Sequence, residues 1–335
     1  MDPAASAPTA IKDPSPGSAL LPLAVISNGG STQNLTQGGW IEPLLAGEPN
    51  AHHLSLTSHD QVAGAVREAA RLGAAAIVVN GGDGTADLVF GALLNDRPFA
   101  APPPLALLSA GKTNMTAHAW CGPHPKEMAL RHVLDSRRKG MLLENVIQRP
   151  ILTLDRGDGA APLRGAFFGA ADVVNGILFC RKHIYPLNLP NAVSHSTAMG
   201  LLLWRSLFAS PDSDDVTASW RPQGEQERGA FFFAGATTLD ELILGLKIEP
   251  ATNDGPLRYL SLRPGPRAIF AALPRLISKS VNAGVGRTVR AVQSLTLAFD
   301  GAYTLDGELY EAAASRPLAL SAEDSLPFIR YDRTS

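Results

Sequence analysis

The chain has 335 residues, enough for about two domains by the usual length prior. With 29 Lys+Arg against 31 Asp+Glu the formal net charge is −2, which excludes a strongly basic, phosphate-coating protein, so no nucleic-acid partner is expected. At 45% hydrophobic and 18% charged residues the chain is too apolar for global disorder, and its two cysteines, Cys121 and Cys180, cannot build a disulfide framework and fit a reducing compartment.

Residues Met1–Gly17 are rich in Pro, Ala and Ser and lack the basic start and apolar stretch of a signal peptide, so residues 1–20 read as a disordered leader. No apolar run reaches the roughly 18 residues that span a bilayer. A cytoplasmic protein, at most peripheral to a membrane surface, is expected. Leu21–Ser27 then reads as a short buried strand, followed by a loop, Asn28–Asn34, rich in Gly, Ser and Asn. His53–Leu56 is a second strand. Thr57 or Ser58 can cap a helix over Asp60–Leu72, where Val62, Val66 and Ala69 recur at helical spacing and Gly73 is placed as a C-cap. Ala74–Val79 is apolar on both faces, which suits a parallel sheet covered by helices. A tight Gly-rich turn leads into a helix over Thr85–Leu94. Pro102–Pro104 precedes a strand at Leu105–Ser109, then comes a loop, Ala110–Asn114, and a helix at Lys126–Arg138.

After about residue 144 the pattern turns β-rich: Val146–Leu154, Arg164–Ala171, Phe231–Ala236, Arg258–Leu262, Ser294–Phe299 and Tyr303–Tyr310. Asp-Gly pairs punctuate these segments, and helical patterns interrupt near Val193–Ala209 and Arg267–Lys279. The expected fold is an α/β N-terminal domain with a parallel sheet over residues 21–144, then a mostly β domain over residues 145–331 whose last stretch, Leu318–Tyr331, returns to the first domain.

The sharpest motif is Gly81-Gly82-Asp83-Gly84-Thr85, between an apolar strand and a helix. Glycines let the backbone turn sharply and approach a ligand closely. A helix start offers unpaired N–H groups and partial positive charge, suited to phosphate, and Thr85 adds a hydroxyl donor. Asp83 would repel phosphate unless a cation lies between, which points to Mg²⁺. An ordinary strand-to-helix turn is the blander reading. The loops Asn28–Asn34 and Ala110–Asn114 fall at the same end of the proposed sheet, where ligands of open α/β sheets collect.

These three segments together resemble the catalytic domain of diacylglycerol kinases and their sphingosine and ceramide kinase relatives. That family shows Asn-Pro-x-Ser-Gly, Gly-Gly-Asp-Gly-Thr and Pro-x-Gly-Thr-x-Asn-Asp. Here they read Asn28-Gly29-Gly30-Ser31-Thr32, an intact Gly81–Thr85, and Ser109-Ala110-Gly111-Lys112-Thr113-Asn114-Met115. The likeness runs on through Asn253-Asp254-Gly255 to Asp306-Gly307-Glu308. The resemblance implies an NAD kinase- or phosphofructokinase-like α/β domain, a sandwich-like β domain and an active site in the cleft between them. It also implies an ATP-dependent lipid kinase using Mg²⁺. Asn28, Gly30, Ser31, Thr32, Thr57, Gly81, Gly82, Asp83, Gly84, Thr85, Gly111, Lys112 and Asn114 would contact ATP. Asp306 would be the general base with Glu308 as its partner, Asp83 would lie by the Mg²⁺ on the phosphates, and Asp254 would be a ligand of a separate, structural Mg²⁺. Four positions depart from the pattern: Gly29 replaces Pro, Leu88 replaces Glu, Lys112 replaces Thr and Met115 replaces Asp. A lysine in a phosphate-facing loop can pair with the β- or γ-phosphate, or it can be a solvated surface residue.

Read without the family, Asp306 and Glu308 are two residues apart. Asp300-Gly301 is the better hairpin turn, which leaves Asp306 near a strand end and puts both carboxylates on one strand face. The histidines, including His52, His53, His118, His124, His132, His183 and His195, show no paired metal spacing. The basic clusters Arg137–Lys139 and Arg181–His183 are solvated faces or contacts for anionic headgroups, and Leu201–Trp204 with Leu207 and Phe208 is core or a wall of an acyl-chain cleft. The expected acceptor is a lipid with a free hydroxyl, of diacylglycerol, ceramide or sphingoid type, with a lean to ceramide. An NAD kinase-like enzyme and a non-catalytic lipid-binding protein on a decayed kinase fold are the alternatives. A homodimer is left open.

Overall fold

The computed structural model describes residues 20–31, 33–34, 39–171, 174, 215–221, 224–242 and 245–331. The expected leader, Thr32, Cys180, the Val193–Ala209 helix and the Arg181–His183 cluster lie outside them. In chain order, the N-terminal elements are β1 (Leu23–Asn28), α1 (Ile41–Leu45), β2 (Ala51–Leu56), α2 (Val62–Arg71), β3 (Ala76–Gly81), α3 (Asp83–Gly91), β4 (Leu105–Ser109), α4 (Met115–Trp120) and α5 (Lys126–Arg138). Then come β5 (Val146–Pro150), β6 (Leu152–Asp155), β7 (Leu163–Gly165), β8 (Phe167–Ala170), β9 (Val216–Arg221), β10 (Gln226–Gly229), β11 (Phe233–Thr237), β12 (Glu241–Leu242), β13 (Leu246–Ile248), β14 (Leu257–Leu262) and α6 (Pro266–Ile277). The chain closes with β15 (Ser280–Val281), β16 (Arg287–Val292), β17 (Ser294–Ala298), β18 (Gly301–Leu305), β19 (Glu308–Ala312), β20 (Leu318–Ser321) and β21 (Ser325–Ile329).

The first sheet has the order β2-β1-β3-β4-β21-β5. All its pairs are parallel except β21 with β5. Every residue of β1 and β3 is buried, because helices cover both faces of the sheet. α2 turns Val62, Ala65, Val66 and Ala69 inward, and Gly73, at φ 66°, ends it as the sequence predicts. The strand order reverses between β1 and β3, which opens a crevice at their carboxyl ends.

Two antiparallel sheets, β10-β9-β17-β20-β6-β7 and β16-β14-β11-β8-β18-β19, form the sandwich. They share one core, from Leu152, Leu154, Trp220, Leu295 and Leu297 on one side to Phe168, Tyr259, Tyr303 and Leu305 on the other. Thus an α/β domain with a largely parallel sheet is joined to a mostly β, sandwich-like one.

Three predicted β segments are each broken in two by the structure, Tyr303–Tyr310 by the hairpin turn between β18 and β19 and two others by a change of sheet. Val146–Leu154 divides into β5, which pairs with β21 in the first sheet, and β6, which pairs with β20 in the sandwich. Arg164–Ala171 divides into β7 and β8, which lie in opposite sheets of the sandwich. The first sheet therefore extends to Pro150, past the expected division at residue 144. Ile151 sits fully buried at the crossover, so an unbroken apolar pattern hides the change of sheet. Leu318–Tyr331 divides as well. β20 stays in the sandwich, while β21 inserts between β4 and β5.

Candidate active site

The crevice is lined by the ends of β1, β3 and β4. Asn28, the last residue of β1, is buried and donates from Nδ2 to Thr85 Oγ1 at 2.9 Å. Its Oδ1 accepts the Gly30 N–H at 2.9 Å. One amide thus joins the first loop to the start of α3. Asn34 Nδ2 donates to the Asn28 carbonyl at 2.9 Å, and buried Ser31 donates its N–H to the same carbonyl at 3.1 Å.

The glycines are demanded by contact. A Cβ on Gly111 would lie 2.7 Å from the Gly82 Cα, and one on Gly81 would lie 2.6 Å from the Thr85 Cβ. The second and third loops therefore touch backbone to backbone, an approach only glycine permits. Asn114, at φ 51°, closes its own loop by accepting the Gly111 N–H at 2.7 Å and donating to the Gly111 carbonyl at 3.0 Å.

Asp83 faces elsewhere than the sequence suggests. Its two oxygens accept the N–H groups of Thr116 at 3.1 Å and Met115 at 3.3 Å. It thus clamps the first turn of α4 to the first turn of α3. Burial raises its pKa, and the two backbone donors oppose that rise.

Asp306 and Glu308 reach this crevice from the sandwich, though not as neighbours along a strand face. Asp306 and Gly307 both have positive φ, 46° and 92°, and form the two-residue turn of the β18–β19 hairpin, with Leu305 opposite Glu308. Asp300-Gly301 makes the preceding turn, as predicted; both Asp-Gly pairs are turns. The Asp306 carboxylate accepts the N–H groups of Ala166 at 2.7 Å and Phe167 at 3.1 Å. It lies so close to β7 that a Cβ on Gly165 would be 2.3 Å from Oδ2. Glu308 is exposed at the crevice mouth, and a Cβ on Gly84 would lie 3.6 Å from its Oε1. Carboxylates from the far half of the chain thus stand at the N-terminal turn of α3.

Sequence reasoning missed two residues of this site. Asp87, one helical turn beyond Asp83, is in hydrogen-bond contact with Asp306. Burial and then the neighbouring charge of Asp306 push its pKa well up; burial and then Asp83 push Asp306 up to about 7. The signal was the i, i+4 repeat of aspartates on one helix face. The second is Lys126, the first residue of α5. It is buried, with Nζ donating to the Gln33 carbonyl at 3.2 Å and to Asn34 Oδ1 at 3.3 Å, 5.4 Å from the Trp40 ring centre. A lysine at the positive end of a helix is misplaced for the dipole, and that was its signal. Burial lowers its pKa.

Beside these loops lies an open cleft of about 610 Å³, lined by Gln33, Lys112, Asn114, His118 and Lys126 among others. Its size falls in the range of small-molecule sites. Thr57 stays at the edge, with its hydroxyl 3.3 Å from Gln61 Oε1. Asp254 lies outside the site. It precedes β14, and the Asn253 beside it bridges to β16, at the sheet edge opposite β18 and β19. Among the described residues no three His, Cys, Asp or Glu side chains are placed to hold a metal ion. Mg²⁺ at such a site would rely on ligands from the nucleotide phosphates, the usual arrangement for that ion.

Residues 22–145 match the family model of the diacylglycerol kinase catalytic domain. No curated protein sequence matches the chain. Among solved structures, a candidate diacylglycerol kinase from Bacillus anthracis str. Sterne is similar at 16% identity and TM-score 0.64, covering 92% of this chain and 97% of its own. A diacylglycerol kinase crystal structure from the same strain gives 16% identity, TM-score 0.58 and the same coverage. At that identity the likeness establishes a shared two-domain fold.

Proposed function

We propose that the protein is an ATP-dependent lipid kinase, transferring the γ-phosphoryl group of ATP to a hydroxyl of a diacylglycerol-, ceramide- or sphingoid-type lipid. The observation that carries this reading is that Asp306 meets Asp87 of α3 while Glu308 meets Gly84 in its first turn. The start of α3 is a helix N-terminus, suited to phosphate, and the adjoining cleft is lined by Lys112 and Lys126. Asn28, Thr85 and Asn114 fix the loop shapes, and Asp83 holds α4 against them.

Asp306 is the base. Its oxygens are aimed by two backbone N–H groups, and its pKa near 7 lets it take a hydroxyl proton at neutral pH. A new bond forms from the lipid oxygen to the γ-phosphorus, the bond from that phosphorus to the β–γ bridging oxygen breaks, and the proton passes to Asp306. Glu308 stands at the mouth, where the acceptor enters. Bound Mg²⁺ would neutralise charge on the transferring phosphates. The rest of the catalysis is positioning and electrostatic stabilisation.

The test is incubation with a lipid extract, ATP and Mg²⁺, with mass spectrometry of new phospholipids, and NAD as a competing acceptor. A phosphorylated lipid, absent with Asp306→Ala, is the expected result. Phosphorylation of NAD alone, or lipid binding with no release of ADP, overturns the proposal.

A further inference from the structure

α6 and the loop after β15 present a face that a water-soluble surface does not call for. Ala268 and Ile269 are buried and anchor α6 to the sandwich. The opposite face carries Phe270, Pro274 and Ile277 at i, i+4 and i+7, the spacing of a helical stripe. Phe270 is 58% exposed, Ile277 83% and Val285 65%, and these are the three most exposed large apolar side chains among the described residues. Val285 is exposed on the loop that packs beside α6. The next residue, Gly286, lies so close to α6 that a Cβ there would be 2.6 Å from the Ala268 Cβ, and Arg287 donates to the Ala271 carbonyl at 3.3 Å.

The charge around this stripe has one sign. Between Asp254 and Asp300 the sequence holds seven basic residues and no acid: Arg258, Arg263, Arg267, Arg275, Lys279, Arg287 and Arg290. Arg258 pairs with Asp240 and Arg290 with Glu225. Arg263 lies over the Phe231 ring, and Arg287 is held by backbone carbonyls. Arg267 and Arg275, both exposed on α6, have no acidic partner among the described residues. The whole chain is slightly acidic, so this concentration is local.

We propose that the Phe270–Ile277 face of α6, with Val285, docks the protein on an anionic lipid bilayer. Exposed Phe, Ile and Val side chains enter the headgroup region, and Arg267 and Arg275 beside them meet lipid phosphates. A second copy of this chain fits less well. A two-fold contact through this face would set the same unpaired arginines against one another. The docking face does not rest on the kinase reading, because vesicle binding is measured without ATP.

The full-length protein is sedimented with vesicles of phosphatidylcholine alone and of phosphatidylcholine mixed equally with phosphatidylglycerol. Strong binding to the mixed vesicles, weak binding to the neutral ones and weakening with added salt are expected. The double variant Phe270→Ser/Ile277→Ser should lower the partition coefficient about tenfold or more. Arg267→Glu/Arg275→Glu should remove the preference for anionic vesicles. All four side chains are exposed, so circular dichroism and the melting midpoint should not move. Val285→Ser supplies a milder variant should the first fail to fold. Absence of vesicle binding by the wild type, or undiminished binding by the variants, overturns the proposal. So does the finding that Phe270→Ser/Ile277→Ser splits a dimer while vesicle binding stays intact.

Discussion

Asp87 and Asp306 touch out of water, where two carboxyls cannot both ionise, so the pair should hold one proton between them near neutral pH. Asp83 and Glu308 add negative charge around them, and Tyr310 of β19 stands near the pair. Arg164, on the strand packed against α3, is already engaged by Asp324 and Asn95. The consequence for stability has a definite sign. A carboxyl whose folded pKa is raised binds a proton in the native state while the unfolded chain has lost it. Native stability from this pair is therefore greatest below the unfolded value of about 4 and declines as pH rises toward about 7. Asp87→Asn replaces one acid by an amide that can donate to Asp306. Urea unfolding should show a shallower decline between acid and neutral pH for Asp87→Asn, and higher stability than wild type at pH above the pair's range. Parallel wild-type and variant curves would mean the two carboxyls do not share a proton. If the protein is a kinase, the acid limb of its pH–rate profile should move to lower pH in the same variant.

The β18–β19 hairpin and the β7 strand act as one device for aiming Asp306. Gly165 has no room for a methyl group beside Oδ2, so Gly165→Ala should displace the carboxylate and lower kcat strongly while KM for ATP changes little. Gly111→Ala should do the reverse. Its Cβ would strike the Gly82 backbone, part the two loops and raise KM for ATP about tenfold or more, with a melting point lowered by a few degrees. Steady-state kinetics of the two variants side by side would separate the roles. The sequence makes much of this readable. Apolar runs name β1, β3 and β4, and the glycine turn marks the start of α3. The less readable parts have physical causes. α4 spans only six residues, and what starts it is the carboxylate of Asp83 from the first turn of α3, not a cap of its own. Asp306-Gly307 and Asp300-Gly301 both carry turn chemistry, so choosing one as the hairpin forces the other into a strand it does not occupy. Which carboxylates meet depends on how the sandwich leans on α3, a long-range matter that local pattern does not encode.

At the scale of the molecule, the two domains are interlocked rather than strung together. Asn95, just past α3, donates to the Pro162 carbonyl at 3.0 Å and accepts from Arg164, which also bonds Thr153 and Asp324. β21 then carries the end of the chain back through the first sheet. Phe328 is fully buried, with ring centres 4.7 Å from Trp120 and 5.7 Å from Phe90, and the Tyr331 hydroxyl donates to the Leu107 carbonyl at 3.0 Å. Phe328→Ala should cost about 3–5 kcal/mol, a large share of the stability of an ordinary domain, and thermal unfolding would read it. Unchanged melting would mean that β21 is dispensable to the first core.

Because β21 wedges between β4 and β5, the N-terminal α/β domain cannot finish its fold when it leaves the ribosome. Its hydrophobic interior waits, one edge of β4 unzipped, for a strand synthesised more than two hundred residues later. A nascent or prematurely terminated polypeptide should therefore be a client for chaperones and proteases. Excising the 22–145 stretch by itself should yield aggregate in place of a working module.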